Sequence, residues 1–362
     1  MLSKSSSFNV GMWQGLVPPQ YIFFNRSFNS VILDPPDYSP GSWIGAGKAI
    51  FDSSSKDYYL SARPRKAEEG VRGFAANIYQ SKDGERFDLI ENLTKENISD
   101  IGGLEIYSIE GTQLLKDPLT GRWHFYISVD TGSEFVWGGL VWQTLLLTAS
   151  SLHGPWTCEG IVLGNDQIYD ALQARDSTID IVDGLWICLY KAVDKDRRER
   201  PALAVSSNGI AWNKRSCFTI DGKEEYSFLS GSIFGGSRGL IFMGLETQLD
   251  DMRQKKPDVK YYDKFAIGHG GGLTSFVGYY MNLNKMNLET IYRSQWEPLS
   301  NYEHKDHPLL GYASLVYDPL KNRMLTYLEA IGRESEQVGL NETVERVILY
   351  ESPFPGSQKK DL

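Results

Sequence analysis

Short apolar runs alternate with polar turns along this chain, and the alternation repeats. Five stretches share one grammar: an apolar strand, a turn of Asp, Gly, Pro, Asn or Ser, then an aromatic-rich strand. They are residues 49–60 (AIFDSSSKDYYL), 113–127 (QLLKDPLTGRWHFYI), 178–190 (TIDIVDGLWICLY), 232–243 (SIFGGSRGLIFM) and 314–327 (SLVYDPLKNRMLTY). Runs of β-branched and aromatic residues bounded by turn formers predict β-hairpins. A second element follows the first three hairpins, at 81–87 (SKDGERF), 150–156 (SSLHGPW) and 206–212 (SSNGIAW). Each places Ser, then Gly, then an aromatic in one window. This predicts a strand end, a glycine turn and a new strand.

Five such units in 362 residues allow about 70 residues each, enough for four strands with loops. The repeat therefore predicts an all-β fold: one five-bladed β-propeller domain over residues 1–362, with four-stranded antiparallel blades around a central channel. The expected blades are roughly 40–100, 101–165, 166–222, 223–300 and 301–352. A two-sheet sandwich would not explain the repeated pair of hairpins. Residues 91–98 and 250–256 are expected to hold a helical turn or two, and the polar tail 353–362 to fray.

Composition agrees with this pattern. Aromatics are 12% of the chain and glycines number 35, a mixture suited to pleated strands and tight turns. The net charge of -9, with no basic stripe, argues against nucleic acid as a partner. Cys158, Cys188 and Cys217 are odd in number and widely spaced, so neither a disulfide framework nor a zinc site is expected. The first 20 residues have no apolar signal core, and the apolar stretch around residues 140–149 is too short to span a bilayer. The expectation is a cytoplasmic protein without a membrane partner. No cofactor is called for, and nothing in the sequence supports a channel metal ion such as calcium. The oligomeric state is left open.

In a propeller, the first strand of each blade lines the axis, so residues near the five strand starts converge at one end. Those starts read WIGAGKA (43–49), EIYSIEGTQ (105–113), QARDST (173–178), EEYSFLSGS (224–232) and LGYAS (310–314). Glu110, Asp176 and Glu225 take matching places in three consecutive blades. Asp34, in LDPPD (33–37), is a fourth carboxylate, and Glu246 stands after a strand end. Cleavage of a glycoside needs two carboxyl groups, one protonated for the leaving oxygen and one ionised. Arg175 stands beside Asp176 as an ion-pair partner. Trp43, Trp137, Trp142 and Tyr226 flank the polar starts and suit stacking on a sugar ring, although core packing also uses such residues. His269, in IGHGGG (267–272), is flanked by glycines that allow close approach of a ligand.

These motifs resemble those of the five-bladed propeller glycosidases, the group around glycoside hydrolase families 43, 32 and 130. The likeness is diffuse over most of the chain. GKAIFDSSSKDYYLSARPR (47–65), with SKDGERF after it, looks like the first blade of the mannoside-phosphorylase-like family 130. WEPLSNYE (296–303) and Gly268-His269-Gly270 are similar to later segments of that family. ARDSTIDIVDGLW (174–186) is similar to the Arg-Asp strand start of the wider group. The resemblance implies that Asp176 orients substrate hydroxyls and stabilises the transition state. Two departures stand out. The second blade has SIEGTQL (108–114) where family 130 carries a catalytic Asp followed by Pro-Arg. The first blade has Gly45-Ala46-Gly47 where families 32 and 43 carry an Asp, unless Asp34 reaches in.

Three functions follow as expectations. One is a glycoside hydrolase in which Asp176, Glu110 and either Asp34 or Glu225 share the acid, base and orienting roles. The second is a family 130-like phosphorylase, with phosphate held by cations among Arg63, Arg72, Lys191 and His269. The third is a non-catalytic propeller that binds a sugar or a protein.

Overall fold

Each of the five hairpins forms the first two strands of an antiparallel sheet. The computed structural model describes residues 17–68, 71–132, 141–236, 239–248, 273–294, 310–331 and 344–354. Blade I has a broken inner strand, Trp43–Gly45 and Ala49–Asp52, followed by Asp57–Lys66, Ala75–Ser81 and Asp88–Thr94. Blade II is Ser108–Lys116, Trp123–Asp130, Trp142–Ala149 and Thr157–Leu163. Blade III is Gln173–Val182, Leu185–Val193, Glu199–Ser206 and Asn213–Cys217. Blade IV is Ser227–Gly236, Gly239–Gln248, Leu273–Asn282 and Asn287–Arg293.

Blade V is built from both ends of the chain. Leu310–Asp318, Arg323–Ile331 and Glu345–Pro353 pair in sequence order, and Ser27–Leu33 adds the outer strand against Glu345–Pro353. The sequence pattern starts at the first hairpin and does not reveal this strand. Its pairing closes the ring, because it adds a fourth strand to the three that the last segment supplies among the described residues.

Among the described residues, five apolar clusters lie between successive blades. One joins Leu114, Phe125 and Leu145 of blade II to Tyr59, Ile78 and Leu93 of blade I. Another joins Val316, Leu325 and Leu349 of blade V to Ile44, Tyr58 and Leu60 of blade I, so the ring packs across its closure. The remaining three join blades II and III, III and IV, and IV and V. Both faces of every blade are thus buried, which explains why the second strands read as near-continuous apolar runs.

The Ser-Gly-aromatic windows are the turns between third and fourth strands. In blade III the Ser206 hydroxyl accepts the N–H groups of Asn208 and Gly209, and Asn208 Oδ1 accepts those of Ile210 and Ala211. Ser81 and Asp83 repeat this in blade I. The glycine carbonyl then receives a tyrosine hydroxyl from the preceding blade. Tyr126 bonds Gly209 O at 2.6 Å, and Tyr327 bonds Gly84 O at 2.7 Å. Gly209 has φ +70°, and a Cβ there would lie 2.6 Å from Tyr126 Oη and 2.7 Å from the Trp186 ring.

The helix Lys95–Gly102 is capped by Thr94 and Asn97. It starts later than the sequence suggests, because 88–94 pair as the outer strand of blade I. Residues 250–256 and the tail beyond 354 lie outside the described residues. All three cysteines are free thiols. Among the described residues no helix is long and apolar enough to cross a membrane.

Gly209→Ala is expected to destabilise the fold by about 1–3 kcal/mol, from left-handed strain plus overpacking. Tyr126→Phe is expected to cost about 1 kcal/mol, from the lost hydrogen bond. Urea unfolding followed by fluorescence measures both.

Candidate functional site

The starts of the inner strands are irregular where regular pairing would hide their side chains. Register shifts fall between Ile109 and Thr112, between Arg175 and Thr178, and between Leu310 and Ala313. The inner strand of blade I breaks after Gly45, with Ala46 at φ +52°. A bulge turns an extra residue out of the ladder and re-aims its side chain. The residues so presented are Glu110, Asp176 and Tyr312. The inner strand of blade IV, by contrast, pairs without a shift over its whole length.

Asp176 has φ +55°, a left-handed conformation that aspartate tolerates better than most residues. Its surroundings hold it there. The backbone N–H donates to Ser128 Oγ at 2.8 Å, and Oδ1 accepts the Gly111 N–H at 3.1 Å. Oδ2 accepts the Tyr312 hydroxyl at 3.1 Å and pairs with Arg175 Nη1 at 3.0 Å. Asp176 thus ties blade III to blades II and V. Because Gly111 follows Glu110, the two carboxylates foreseen in the sequence are brought to adjacent inner strands.

Glu110 takes part in a buried network of arginines. Arg63, 1% exposed, reaches Glu110 Oε1 at 2.5 Å and Glu329 Oε1 at 3.7 Å through the same Nη2. Arg65 reaches Glu110 Oε2 at 3.6 Å. Burial raises the Glu110 carboxyl, but Arg63, Arg65 and Arg175 outweigh it and hold the group below its ordinary range. Glu329 goes the other way. Burial, with the neighbouring Glu345 carboxyl, pushes it well above the usual range despite Arg63. One guanidinium therefore stands between a carboxyl shifted down and a carboxyl shifted up. Their shared nitrogen caps the separation well below the roughly 9.5 Å upper limit of glycosidase carboxyl pairs.

Glu329 also explains the glycine of the broken blade I strand. Its Oε2 accepts the Ala46 N–H at 2.5 Å, and a Cβ on Gly45 would lie 2.3 Å from that oxygen. The carboxyl from blade V fills the space where residue 45 would carry a side chain. The sequence reading missed Glu329. The available signal was a carboxylate inside an otherwise apolar second strand, RMLTYLEAI (323–331).

Aromatic rings cover the cations. Trp43 lies 5.0 Å from the Arg65 guanidinium and 6.0 Å from that of Arg63. Trp142 faces Arg175 at 4.8 Å and Arg72 at 5.7 Å, and Arg72 pairs with Asp130 at 2.7 Å. Lys191 pairs with Glu199 at 2.9 Å and stands over Phe228, whose ring packs edge-on to Tyr312. Below this layer Lys48 closes the axis, its ammonium donating to Ser230 Oγ, Gly231 O and Ala313 O.

The structure thus gathers Asp176, Glu110, Arg175, Arg63, Trp43 and Lys191. Trp142 and Arg72 stand beside them, whereas Asp34, Glu225 and Tyr226 have other partners. Asp34 is exposed and accepts the Tyr38 hydroxyl at 2.8 Å. The strand before it is the outer strand of blade V. Glu225 faces Glu246 and Arg293 electrostatically, and Arg293 pairs with Glu246 at 2.9 Å. Tyr226 bonds the partly exposed Arg198. Blade IV lacks the bulge that would turn these two residues inward. His269 and Trp137 lie outside the described residues. Among the described residues, no group of three or more His, Cys, Asp or Glu side chains could hold a metal ion.

Solved structures resemble this chain over nearly its full length. A family 117 glycoside hydrolase from the marine bacterium Zobellia galactanivorans superposes with a TM-score of 0.57 at 10% identity, covering 93% of this chain and 92% of that one. An alpha-L-arabinofuranosidase from Lactobacillus brevis gives 0.56 at 12% identity, covering 92% and 94%. The chain has the fold of the five-bladed propeller glycosidases. A Bombyx mori GH32 beta-fructofuranosidase gives 0.57 at 11% identity, covering 96% of this chain and 66% of that one. No family model matches the sequence, and no curated protein matches it.

Arg63→Ala is expected to destabilise the propeller by about 3–5 kcal/mol, since it leaves buried carboxylate charge uncompensated. Glu329 also has a pH signature. The native protein keeps a proton that the unfolded chain releases above 4.5, so the stabilisation is full below that pH and is lost as pH rises toward the native value. The expected slope is about 1.4 kcal/mol per pH unit. Glu329→Gln should flatten the stability profile over that window in denaturant titrations.

Proposed function

We propose that this propeller is a glycoside hydrolase working at the strand-start end of its axis. The observation that supports this most is the pair of carboxyls sharing Arg63 Nη2, with the arginines lowering Glu110 and burial raising Glu329. Glycoside cleavage asks for such a pair, and opposed environments are how two carboxyl groups take acid and base roles at one pH. Glu329 gives its proton to the glycosidic oxygen as the bond to the anomeric carbon breaks. Glu110 takes a proton from the water that attacks that carbon. Asp176 and Arg175 orient the ring hydroxyls, and Trp43 offers an apolar face for the sugar.

Hydrolysis is favoured over phosphorolysis by the charge pairing. Arg63 is matched by Glu110, Arg72 by Asp130 and Lys191 by Glu199. A phosphate would have to compete with a carboxylate at each of these cations. The fold likeness to glycoside hydrolases agrees with a carbohydrate substrate.

The test is turnover of a panel of p-nitrophenyl glycosides and plant or algal oligosaccharides, with and without inorganic phosphate. Release independent of phosphate is expected. Asp176→Asn and Glu329→Gln should each lower kcat by about 10²–10⁴-fold, and Glu329→Gln should also abolish the alkaline limb of the pH profile. A Glu329→Gln variant with full activity would end this assignment of the acid. A wild-type rate that rises from zero with phosphate would end the hydrolase reading.

A further inference from the structure

The axis has a second opening at the far ends of the inner strands. There the five blades enclose a cavity of about 390 Å³. Its wall mixes apolar and polar side chains, with Phe51, Leu115, Ile181, Phe234 and Val316 among the apolar ones. Lys48, held by its three acceptors, separates it from the carboxylate network described above. At the mouth lie the turns Pro118-Leu119 and Pro319-Leu320, and both leucines are exposed, at 76% and 54%.

Three acids line the cavity: Asp52, Asp117 and Asp180. Asp180, on the inner strand of blade III, lines the cavity, and its Oδ2 is buried with no hydrogen-bond partner. The other charged groups around the cavity are already engaged. Asp52 is paired with Lys116 at 2.9 Å, and Asp117 accepts the Leu119 N–H and the Thr120 hydroxyl. Gln113 exchanges both of its amide bonds with the Ile179 backbone. A buried carboxylate without a partner is costly, and a cation that enters the cavity removes that cost. Apolar surface beside a polar group free to orient a ligand is the usual form of a small-molecule site.

We propose that this cavity is a second binding site, independent of the glycosidase reading, for a primary alkylammonium whose head pairs with Asp180 and whose chain lies along the apolar side chains. Burial pushes Asp180 up to about 7, so an entering ammonium also draws its proton off. Lys48, at the floor, is drawn down to about 7 by burial against the attraction of Asp176, and pH alone does not separate the two groups.

Three probes of equal length do separate them: n-hexylammonium, 1-hexanol and hexanoate, titrated by calorimetry at neutral pH. Hexylammonium is expected to bind at least tenfold more tightly than hexanol, and hexanoate not at all. Asp180→Asn should weaken hexylammonium at least tenfold and leave hexanol unchanged. In the wild-type protein, the Asp180 carboxyl carbon resonance should titrate at lower pH when hexylammonium is present, a readout that needs no variant. Equal affinities for hexylammonium and hexanol, preferred binding of hexanoate, no binding of any probe, or an unmoved Asp180 titration each overturn the proposal.

Discussion

Buried positive charge at the axis governs this molecule. Arg63, Arg65 and Arg175 project into the strand-start end of the ring, and Arg63 is almost wholly covered. A guanidinium cannot shed its proton to escape a low-dielectric site, so carboxylates must be delivered to it. They come from three blades: Glu110 from blade II, Asp176 from blade III beside Arg175, and Glu329 from blade V. The bulges in the inner strands are the means of delivery, since a regular strand would point two of these side chains elsewhere. Charge neutralisation and site geometry are therefore one arrangement.

The same arrangement divides the axis. Above Lys48 the channel is polar, crossed by ion pairs and roofed by Trp43 and Trp142. Below it apolar side chains make up more of the wall, and Asp180 is the acid there with an unpartnered oxygen. A parallel set of inner strands makes this division natural, because strand starts and strand ends cannot mix. The two ends of one strand, Asp176 and Asp180 on blade III, sit four residues apart and meet quite different surroundings. Asp176 accepts three donors, whereas Asp180 Oδ2 accepts none.

The hairpin grammar was legible because it is local. A turn of Asp, Gly and Pro between aromatic strands carries its own instruction, and five repeats imply five blades. The serine-glycine turns were legible for the same reason, although the purpose of two of them was not: the tyrosines that bind the Gly84 and Gly209 carbonyls come from the preceding blade, more than 80 residues away. The closing strand at Ser27–Leu33 could not be read, since it lacks a hairpin and its partner lies at the other end of the chain.

For the site, the sequence by itself determined that Glu110 and Asp176 open neighbouring inner strands, because matching positions in a repeat must converge on one axis. It also marked Arg63, Arg175, Trp43 and Lys191 as their companions. It could not settle which carboxyl groups complete the set. Asp34 and Glu225 lie near strand starts in the chain yet face Tyr38 and the Glu246–Arg293 pair, and Glu329 lies inside a strand yet reaches Arg63. Only the tertiary structure decided this, because the space left by Gly45 is filled by a side chain from the blade that closes the ring. Distances across a closure are invisible to a pattern that runs along the chain.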